Sequence, residues 1–461
     1  MRRMAAIDRR EPMSSLFALL ERRAAVDPSG IAVASGDCKT TYGWIASRAG
    51  ELAGAFSEFS ACRVGVALPG GADWATVLCA LEANGADAIM LSASIGLPEA
   101  AAVTDRFGLA AIVRREGNGL SVSHTGATRS AASGSRVVLM TSGSTGRPKA
   151  VEHSWASLLA AVRSGHTSSP KRWLLTYPAH LYSGIQVTLQ CFTPGGTLTI
   201  LPPAAMPASI CSMLRRDGIQ CVSASPSFFR QLLTLGDRED LRQAPIEQIT
   251  LGGEPATDDL LRRLAQLHPN ARITHIYAAT EVGRCFAVSD GRSGFPSEYL
   301  DGDMEGGAQL RIEDGELLVK PGPGSGKSAW TGRTEPAGTV QPSWFRTGDI
   351  VEVVGERVYF RGRKTDIINV GGNKVHPMEV EEVLRSVPGV GNVRIYPVPS
   401  SIVGQLVAAD VVPEGSVEPD HIRAGIARAS LDRLRPYQRP RQVNIVAALP
   451  LLEGQKIDRR I

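Results

Sequence analysis

The chain has no long apolar run. No stretch reaches the roughly 18 consecutive apolar residues that cross a bilayer as a helix. Met1 to Arg10 is charged but lacks the apolar core of a secretory signal, so the expected location is the cytoplasm. Cysteine is sparse. The seven residues Cys38, Cys62, Cys79, Cys191, Cys211, Cys221 and Cys285 are odd in number, widely spaced and without a Cys-x-x-Cys pair, which predicts reduced thiols and no zinc site. A large excess of charge of one sign is missing too: a formal net charge of +4 is no warrant for holding nucleic acid. Internal repeats and low-complexity tracts are absent. What remains is 461 residues, 43% hydrophobic and 21% charged, the composition of a globular protein large enough for two or three packed units.

An α/β rhythm runs through most of the chain. Residues 14 to 26 and Thr41 to Phe56 carry apolar groups at helical spacing. Arg63 to Leu68, the turn Pro69-Gly70-Gly71, the helical pattern Asp73 to Asn84 and the apolar run Ala88 to Leu91 then read as strand, turn, helix and strand. Further strands are expected at Arg136 to Met140, Arg172 to Thr176, Leu198 to Leu201, Cys221 to Ser225 and Gln248 to Leu251. Helical patterns lie at Trp155 to Arg163, Ile185 to Phe192, Ser227 to Leu235 and Asp258 to Gln266. From about residue 306 short strands and turns take over, and beyond Arg363 a separate small α/β pattern begins. The expected class is α/β: a large N-terminal domain, 1–363, of doubly wound sheets with a small β-rich subdomain, then a small α+β C-terminal domain, 364–461.

Where the run ending at Met140 stops, the chain enters Thr141-Ser142-Gly143-Ser144-Thr145-Gly146-Arg147-Pro148-Lys149. Two glycines let backbone approach an anion, the hydroxyls donate hydrogen bonds, and Arg147 and Lys149 add positive charge, so the loop suits phosphate; its composition also suits an ordinary surface turn. Its spacing differs from the common nucleotide loop that ends in Gly-Lys-Ser/Thr, since Pro148 precedes the lysine. Gly322 to Ser328 does end in Gly-Lys-Ser, but Pro321 stands where the first glycine belongs and no apolar helical pattern follows, so it is read as a solvated loop.

The order of residues in Thr141 to Lys149 resembles the signature loop of the adenylate-forming superfamily, which comprises acyl- and aryl-CoA synthetases, adenylation domains of peptide synthetases, and luciferases. Later segments are similar to the family's other motifs, in the same order. Gly252-Gly253-Glu254-Pro255 resembles the turn that contacts adenine. Tyr277-Ala278-Ala279-Thr280-Glu281 resembles a Tyr-Gly-x-Thr-Glu motif, with Ala278 in place of the glycine. The resemblance implies that the Tyr277 ring stacks near adenine, that Thr280 meets the α-phosphate and that Glu281 holds Mg²⁺. Phe345-Arg346-Thr347-Gly348-Asp349 matches the motif whose aspartate binds both ribose hydroxyls. Gly362 to Glu381 resembles the interdomain hinge, here Lys364 or Thr365 after Arg363, and the Gly371-Gly372 loop that meets the pantetheine arm. Leu449 to Arg459 matches the terminal motif imperfectly: Leu452 replaces a threonine and Gln455 is inserted between Gly454 and Lys456, the expected catalytic lysine.

His180, in Pro178-Ala179-His180-Leu181-Tyr182-Ser183-Gly184, falls where the family places a residue gating the acyl site; by itself it would read as a packed or surface histidine. No acid occupies this segment. A buried ammonium would then be unpaired, which argues against an amino-acid substrate. Expected pocket residues are His180, Tyr182, Ser183, Gly184, Ile185, Phe228, Ala278, Ala279 and Cys285, mostly small or apolar. The resemblance implies ATP-dependent activation of a carboxylic acid as its adenylate, followed by thioester formation with coenzyme A, the acid being an aryl acid or a short-to-medium acyl acid. Five residues follow Lys456, from which a free acceptor is expected. The alternatives are transfer to the phosphopantetheine of a separate carrier protein, and a non-catalytic nucleotide-binding relative. A monomer or homodimer is expected, with no membrane span and no nucleic-acid partner.

Overall fold

A computed structural model describes residues 14–459, apart from 118, 127–131, 133, 142–148, 163–168, 303, 305–306, 323–326, 331–343 and 416. By contact density the chain divides into two compact units, residues 1–200 with 324–336, and residues 201–323 with 337–461.

The first unit holds a seven-stranded sheet whose centre is parallel. Arg63–Ala67 lies between Asp87–Met90 and Ala111–Glu116, and Asp87–Met90 pairs in turn with Arg136–Thr141. Antiparallel strands close both sides: Gly119–His124 on one, Lys149–Ser154 on the other. Ala67, Ile89, Ile112 and Val138 from these strands, with Leu91 just beyond one of them, pack with Val103 and Phe107 of the helix Leu97–Phe107. A second group in the same unit sets Thr197–Ile200 parallel to Ile31–Ser35 and to Arg172–Leu175. The hairpin partner Cys38–Thr41 ends in Thr41, whose hydroxyl accepts from the Trp44 N–H and caps the helix Tyr42–Ala55.

The end of Gly322 to Ser328 departs from its reading as a solvated loop, while residues 323–326 lie outside the described residues. Lys327–Trp330 is a strand, antiparallel to Lys149–Ser154 through Lys327 opposite Glu152 and Trp330 opposite Ala150. An edge strand leaves a row of backbone groups open, and a distant segment satisfies them here. The local sequence of a loop carries no sign of such pairing. Lys327 and Ser328 therefore lie in a strand and do not open a helix.

In the second unit, Cys221–Ala224, Gln248–Gly252 and Arg272–Ala279 are parallel neighbours, and Gly283–Val288 folds back antiparallel on the last. The helices between them begin on side-chain caps, Ser225 for Pro226–Leu235 and Thr257 for Asp258–Leu267. An antiparallel five-stranded sheet follows in the order Phe295–Pro296, Arg357–Arg363, Phe345–Val354, Glu316–Lys320 and Gln309–Glu313. Its core contains Phe286, Phe295, Leu317, Val319 and Val358. Residues beyond 367 build their own core. Val380, Leu384, Val393, Ile395, Val411, Ile422 and Ile426 join the helices Pro377–Arg385 and Pro419–Arg433 to the long pair Val390–Ser400 and Gly404–Pro413.

That last core is secured by one buried carboxylate. Glu381 Oε1 accepts from Arg459 Nε at 3.1 Å and Nη2 at 2.9 Å, and from the Ile395 N–H at 3.2 Å. Burial alone would raise its pKa; Arg459, Arg385 and the backbone donor outweigh burial and hold it below the ordinary value of 4.5. Its contribution to stability is therefore present at neutral pH and is lost as pH falls through the lowered folded-state pKa. Glu381→Gln leaves Arg459 with only its longer ion pair to Asp366, at 3.8 Å, and a loss of about 3–5 kcal/mol is expected. Thermal melts at pH 7 against acidic pH check this: the deficit of the variant should be large at pH 7 and shrink in acid.

Candidate active site

The second unit gathers the C-terminal lysine and three of the expected nucleotide motifs. The parallel strand Gln248–Gly252 ends at a turn in which Gly253 has φ +85°, a conformation that side-chain-bearing residues avoid. Lys456 lies against this turn. A Cβ built on Gly253 would stand 2.6 Å from Lys456 Cε and 3.3 Å from Nζ, so a side chain here would push the end of the lysine aside.

Lys456 reaches this position although its motif carries an extra residue. Gln455 adopts φ +61°, its N–H donates to the Leu452 carbonyl at 2.9 Å, and the Leu452 N–H donates to the Lys456 carbonyl at 2.8 Å. Leu451 bridges to Ile457. The inserted residue is thus absorbed as the left-handed position of a tight turn, and the lysine that follows still faces Gly253.

Asp349 supplies the next group. Phe345–Val354 and Arg357–Arg363 pair with Asp349 opposite Arg363, and Arg363 Nε donates to Asp349 Oδ1 at 3.1 Å. Tyr277, from the strand Arg272–Ala279, donates its hydroxyl to Asp349 Oδ2 at 2.6 Å. Burial, reinforced by the Asp349 charge and that bond, pushes the Tyr277 phenol well above its usual pKa, so it stays a donor. The Tyr277 ring stacks on Phe286 and on Phe360, each at 5.3 Å between centroids, so a good part of its aromatic surface is taken up by protein.

The Thr347-Gly348 turn ahead of Asp349 is shaped by Glu316. This carboxylate accepts from the Gly348 N–H at 3.0 Å and from Arg346 at 2.9 Å, while the Thr347 hydroxyl donates to the Leu317 carbonyl at 2.6 Å. Gly348 takes φ +76°. Glu316 lies 32 positions before Gly348, and nothing in the local sequence marks the pairing.

Thr280 and Glu281 occupy the turn joining Arg272–Ala279 to Gly283–Val288, both partly exposed. Ala278 follows a register shift after Tyr277 and pairs with Arg284. Cys285 is buried with Phe286, Val288 and Phe295, and desolvation raises its thiol pKa to about 12, the environment of a packing residue. Phe228 is buried edge-on to Phe229. Arg363 is followed by the single turn Lys364–Asp366. The exposed Gly371 and Gly372 join Ile368–Val370 to Asn373–Val375 with φ of +58° and +87°.

Other expected residues lie in the first unit. His180 sits, partly exposed, just before the helix Tyr182–Phe192. Tyr182 is buried with its ring 5.4 Å from that of His153, Ser183 is partly exposed, and Ile185 is fully buried. Gly184 is forced: a Cβ there would lie 2.1 Å from the Pro178 carbonyl oxygen. Ser142 to Pro148 lies outside the described residues, as do the side chains of Thr141 and Lys149.

The comparisons accord with this geometry. The sequence profile of the AMP-binding enzyme family matches residues 128–324, and that of the AMP-binding enzyme C-terminal domain matches residues 379–456. The chain belongs to the AMP-binding enzyme family. Among its relatives, a feruloyl-CoA synthase from Amycolatopsis is 28% identical over 341 residues, 70% of this chain and 68% of the relative. A 2-succinylbenzoate–CoA ligase from Listeria monocytogenes is 26% identical over 328 residues, again 70% and 68%. Of solved structures, an anthranilate CoA ligase in complex with anthranoyl-AMP superposes with a TM-score of 0.76 at 19% identity, covering 97% of this chain and 96% of that one. An o-succinylbenzoate CoA synthetase from Bacillus subtilis, in complex with its acyl-adenylate intermediate, gives 0.70 at 22% identity, covering 96% of each. Both have the same α/β fold, a large N-terminal and a small C-terminal domain, as this AMP-binding enzyme.

Within the enzyme, the charges around Lys456 oppose one another. Desolvation and then the nearby Arg363 lower its pKa from 10.5, while Glu254 and Asp349 pull it back up. Protonated lysine is the form useful to an anionic reactant, and a lowered pKa means that form is lost at a lower pH than for an ordinary lysine. The alkaline limb of acid-dependent pyrophosphate exchange should therefore fall below pH 10.5, and Lys456→Arg should move it upward. Gly253→Ala places a methyl inside van der Waals contact of Lys456. Exchange should drop at least about tenfold, each 1.4 kcal/mol of misplacement counting tenfold, while the fold remains intact by circular dichroism.

Proposed function

We propose that this AMP-binding enzyme activates an aromatic carboxylic acid with ATP as its acyl-adenylate and then transfers the acyl group to coenzyme A. The observation that carries the reading is the placement of Lys456 on the Gly253 turn, in the charge field of Asp349, Arg363 and Glu254. In the first half-reaction a carboxylate oxygen attacks the α-phosphorus of ATP, a new C–O–P linkage forms, and pyrophosphate leaves. Two anions approach, so fixed positive charge where negative charge accumulates lowers the barrier. Lys456 brings that charge, on a turn preorganised before the substrates arrive. Asp349 accepts the ribose hydroxyls in place of, or beside, the donors it now holds. Thr280 meets the α-phosphate.

Among the described residues no group of three or more His, Cys, Asp and Glu could cage a metal ion. A single carboxylate, Glu281, fits Mg²⁺, which is commonly bound through one or two carboxylates plus substrate phosphates. Bound there, Mg²⁺ would neutralise phosphate charge. Assignment of the β- and γ-phosphates to Thr141 to Lys149 rests on the sequence motif.

In the second half-reaction the thiol of coenzyme A attacks the acyl carbon, the thioester forms, and AMP leaves with the anhydride oxygen. Lys456 has no further use then. We place a hinge at Lys364-Thr365 that removes Lys456 and brings the Gly371-Gly372 turn to the pantetheine arm, which makes residues 364–461 the moving domain. The preference for an aromatic acid comes from the feruloyl and succinylbenzoate ligases among the relatives and from the absence of any acid in Pro178 to Gly184.

Pyrophosphate and AMP release with MgATP and a panel of benzoate, cinnamate, fatty and amino acids, with and without coenzyme A, tests the reading. An aryl acid should give both pyrophosphate exchange and a coenzyme A thioester. No exchange with any acid overturns catalysis; exchange without a thioester moves the acceptor to a carrier protein. Lys456→Ala should lower adenylation about 10²–10³-fold, the usual cost of removing one preorganised charge-stabilising donor. Lys149→Ala should impair the same step and spare transfer from a preformed adenylate.

A further inference from the structure

The residues on either side of Lys456 are both tied to the start of one helix. The helix Pro226–Leu235 begins with three residues that lack intrahelical partners for their amides. Pro226 has no N–H. The Ser227 N–H donates to Glu254 Oε2 at 3.0 Å, and the Phe228 N–H donates to Ser225 Oγ at 3.1 Å. Two side chains therefore satisfy the helix start, and each has a bonding position left over. The remaining carboxylate oxygen, Glu254 Oε1, accepts from the Ile457 N–H at 2.9 Å. The one hydroxyl proton of Ser225 is free to donate, because its oxygen already accepts, and it goes to the Gln455 carbonyl at 2.5 Å.

We propose that Ser225 and Glu254 are positioning residues that latch the Leu452 to Ile457 turn onto the helix start and so hold Lys456 over Gly253 during adenylation. The inference rests on the carboxylate-activating reading. It also adds a role for Glu254 beyond the expected adenine contact: its carboxylate fastens the lysine turn. The extra residue of the terminal motif becomes intelligible. Gln455 supplies the carbonyl that Ser225 grips, and its left-handed backbone is part of the turn that presents the carbonyl. The latch is also releasable. Both bonds to the turn can break while Ser225 still caps Phe228 and Glu254 still caps Ser227, so the helix need not fray when Lys456 departs.

Two readouts test this. The first is hydrogen exchange in the full-length protein: Ser225→Ala and Glu254→Gln should each speed amide exchange at residues 452–457 by about tenfold, the loss of roughly one hydrogen bond. Unchanged exchange there in both variants overturns the latch, whatever the enzyme's activity. The second is kinetic. Ser225→Ala should lower acid-dependent pyrophosphate exchange about tenfold, mainly in kcat, and leave thioester formation from a synthetic acyl-adenylate within about twofold. Ser225→Thr, which keeps the hydroxyl, should restore the first half-reaction. In a Lys456→Ala background Ser225→Ala should add nothing, since the residue it positions is gone. Equal loss of both half-reactions, or full additivity with Lys456→Ala, would reduce Ser225 to a helix cap and overturn the proposal. Faster amide exchange at 452–457 together with no pyrophosphate exchange from any acid would uphold the latch and remove the carboxylate-activating reading instead.

Discussion

The contact of Lys456 with Gly253 is the constraint to which the rest of the second unit is fitted. An ammonium set so closely on a backbone turn keeps this place because no side chain stands beneath it, at a glycine with φ +85°. It needs its own backbone held from both sides, through Gln455 and Ile457. Negative charge nearby, from Glu254 and Asp349, returns part of what desolvation and Arg363 take away. A lysine on the surface satisfies none of these conditions and requires none. The role proposed for Lys456, meeting a reacting carboxylate, requires them together, because the field of a fixed charge is useful only where its position is fixed before reaction.

A similar economy governs Asp349. Its two oxygens are held by different elements, one by Tyr277 from the parallel group of strands and one by Arg363 from the antiparallel sheet. The carboxylate therefore couples two β layers while remaining the acceptor on which the proposed ribose contact depends. Glu316 supports it from behind by holding the Gly348 amide and Arg346. Charged groups placed inside a fold are tolerated when every partner position is filled, and this group of residues comes close to that condition.

Much of the architecture could be read from residue patterns. The helices Tyr42–Ala55, Pro226–Leu235 and Asp258–Leu267 lie within a few residues of where apolar spacing places them. Short buried strands such as Cys221–Ala224 and Gln248–Gly252 were visible as apolar runs. The edges were not. Cys38–Thr41 has only exposed and half-buried positions, and Lys327–Trp330 follows a glycine-rich stretch; strands like these are defined by the neighbour whose backbone they complete, and that neighbour is far away in sequence. The helix Pro207–Arg216 and the strand Arg272–Ala279 were likewise not drawn out, the latter because Arg272, Thr274 and His275 interrupt its apolar alternation.

The sequence by itself determined which chemical groups the protein has to work with and in what order: the hydroxyl and glycine loop, the Gly-Gly-Glu turn, Tyr277 to Glu281, Asp349, Arg363 and the terminal lysine. Those motifs are short because backbone conformation and side-chain type act over a few residues, so local patterns preserve them. Tertiary structure alone decided how they are connected. That Ser225 would spend its only proton on a carbonyl 230 positions away, that Glu254 would bind the amide next to Lys456, and that an inserted glutamine would become a left-handed turn residue without displacing the lysine are all consequences of packing. Hydrogen-bond partners at such separations are chosen by where elements meet in space, and a linear pattern of residues does not contain that distance.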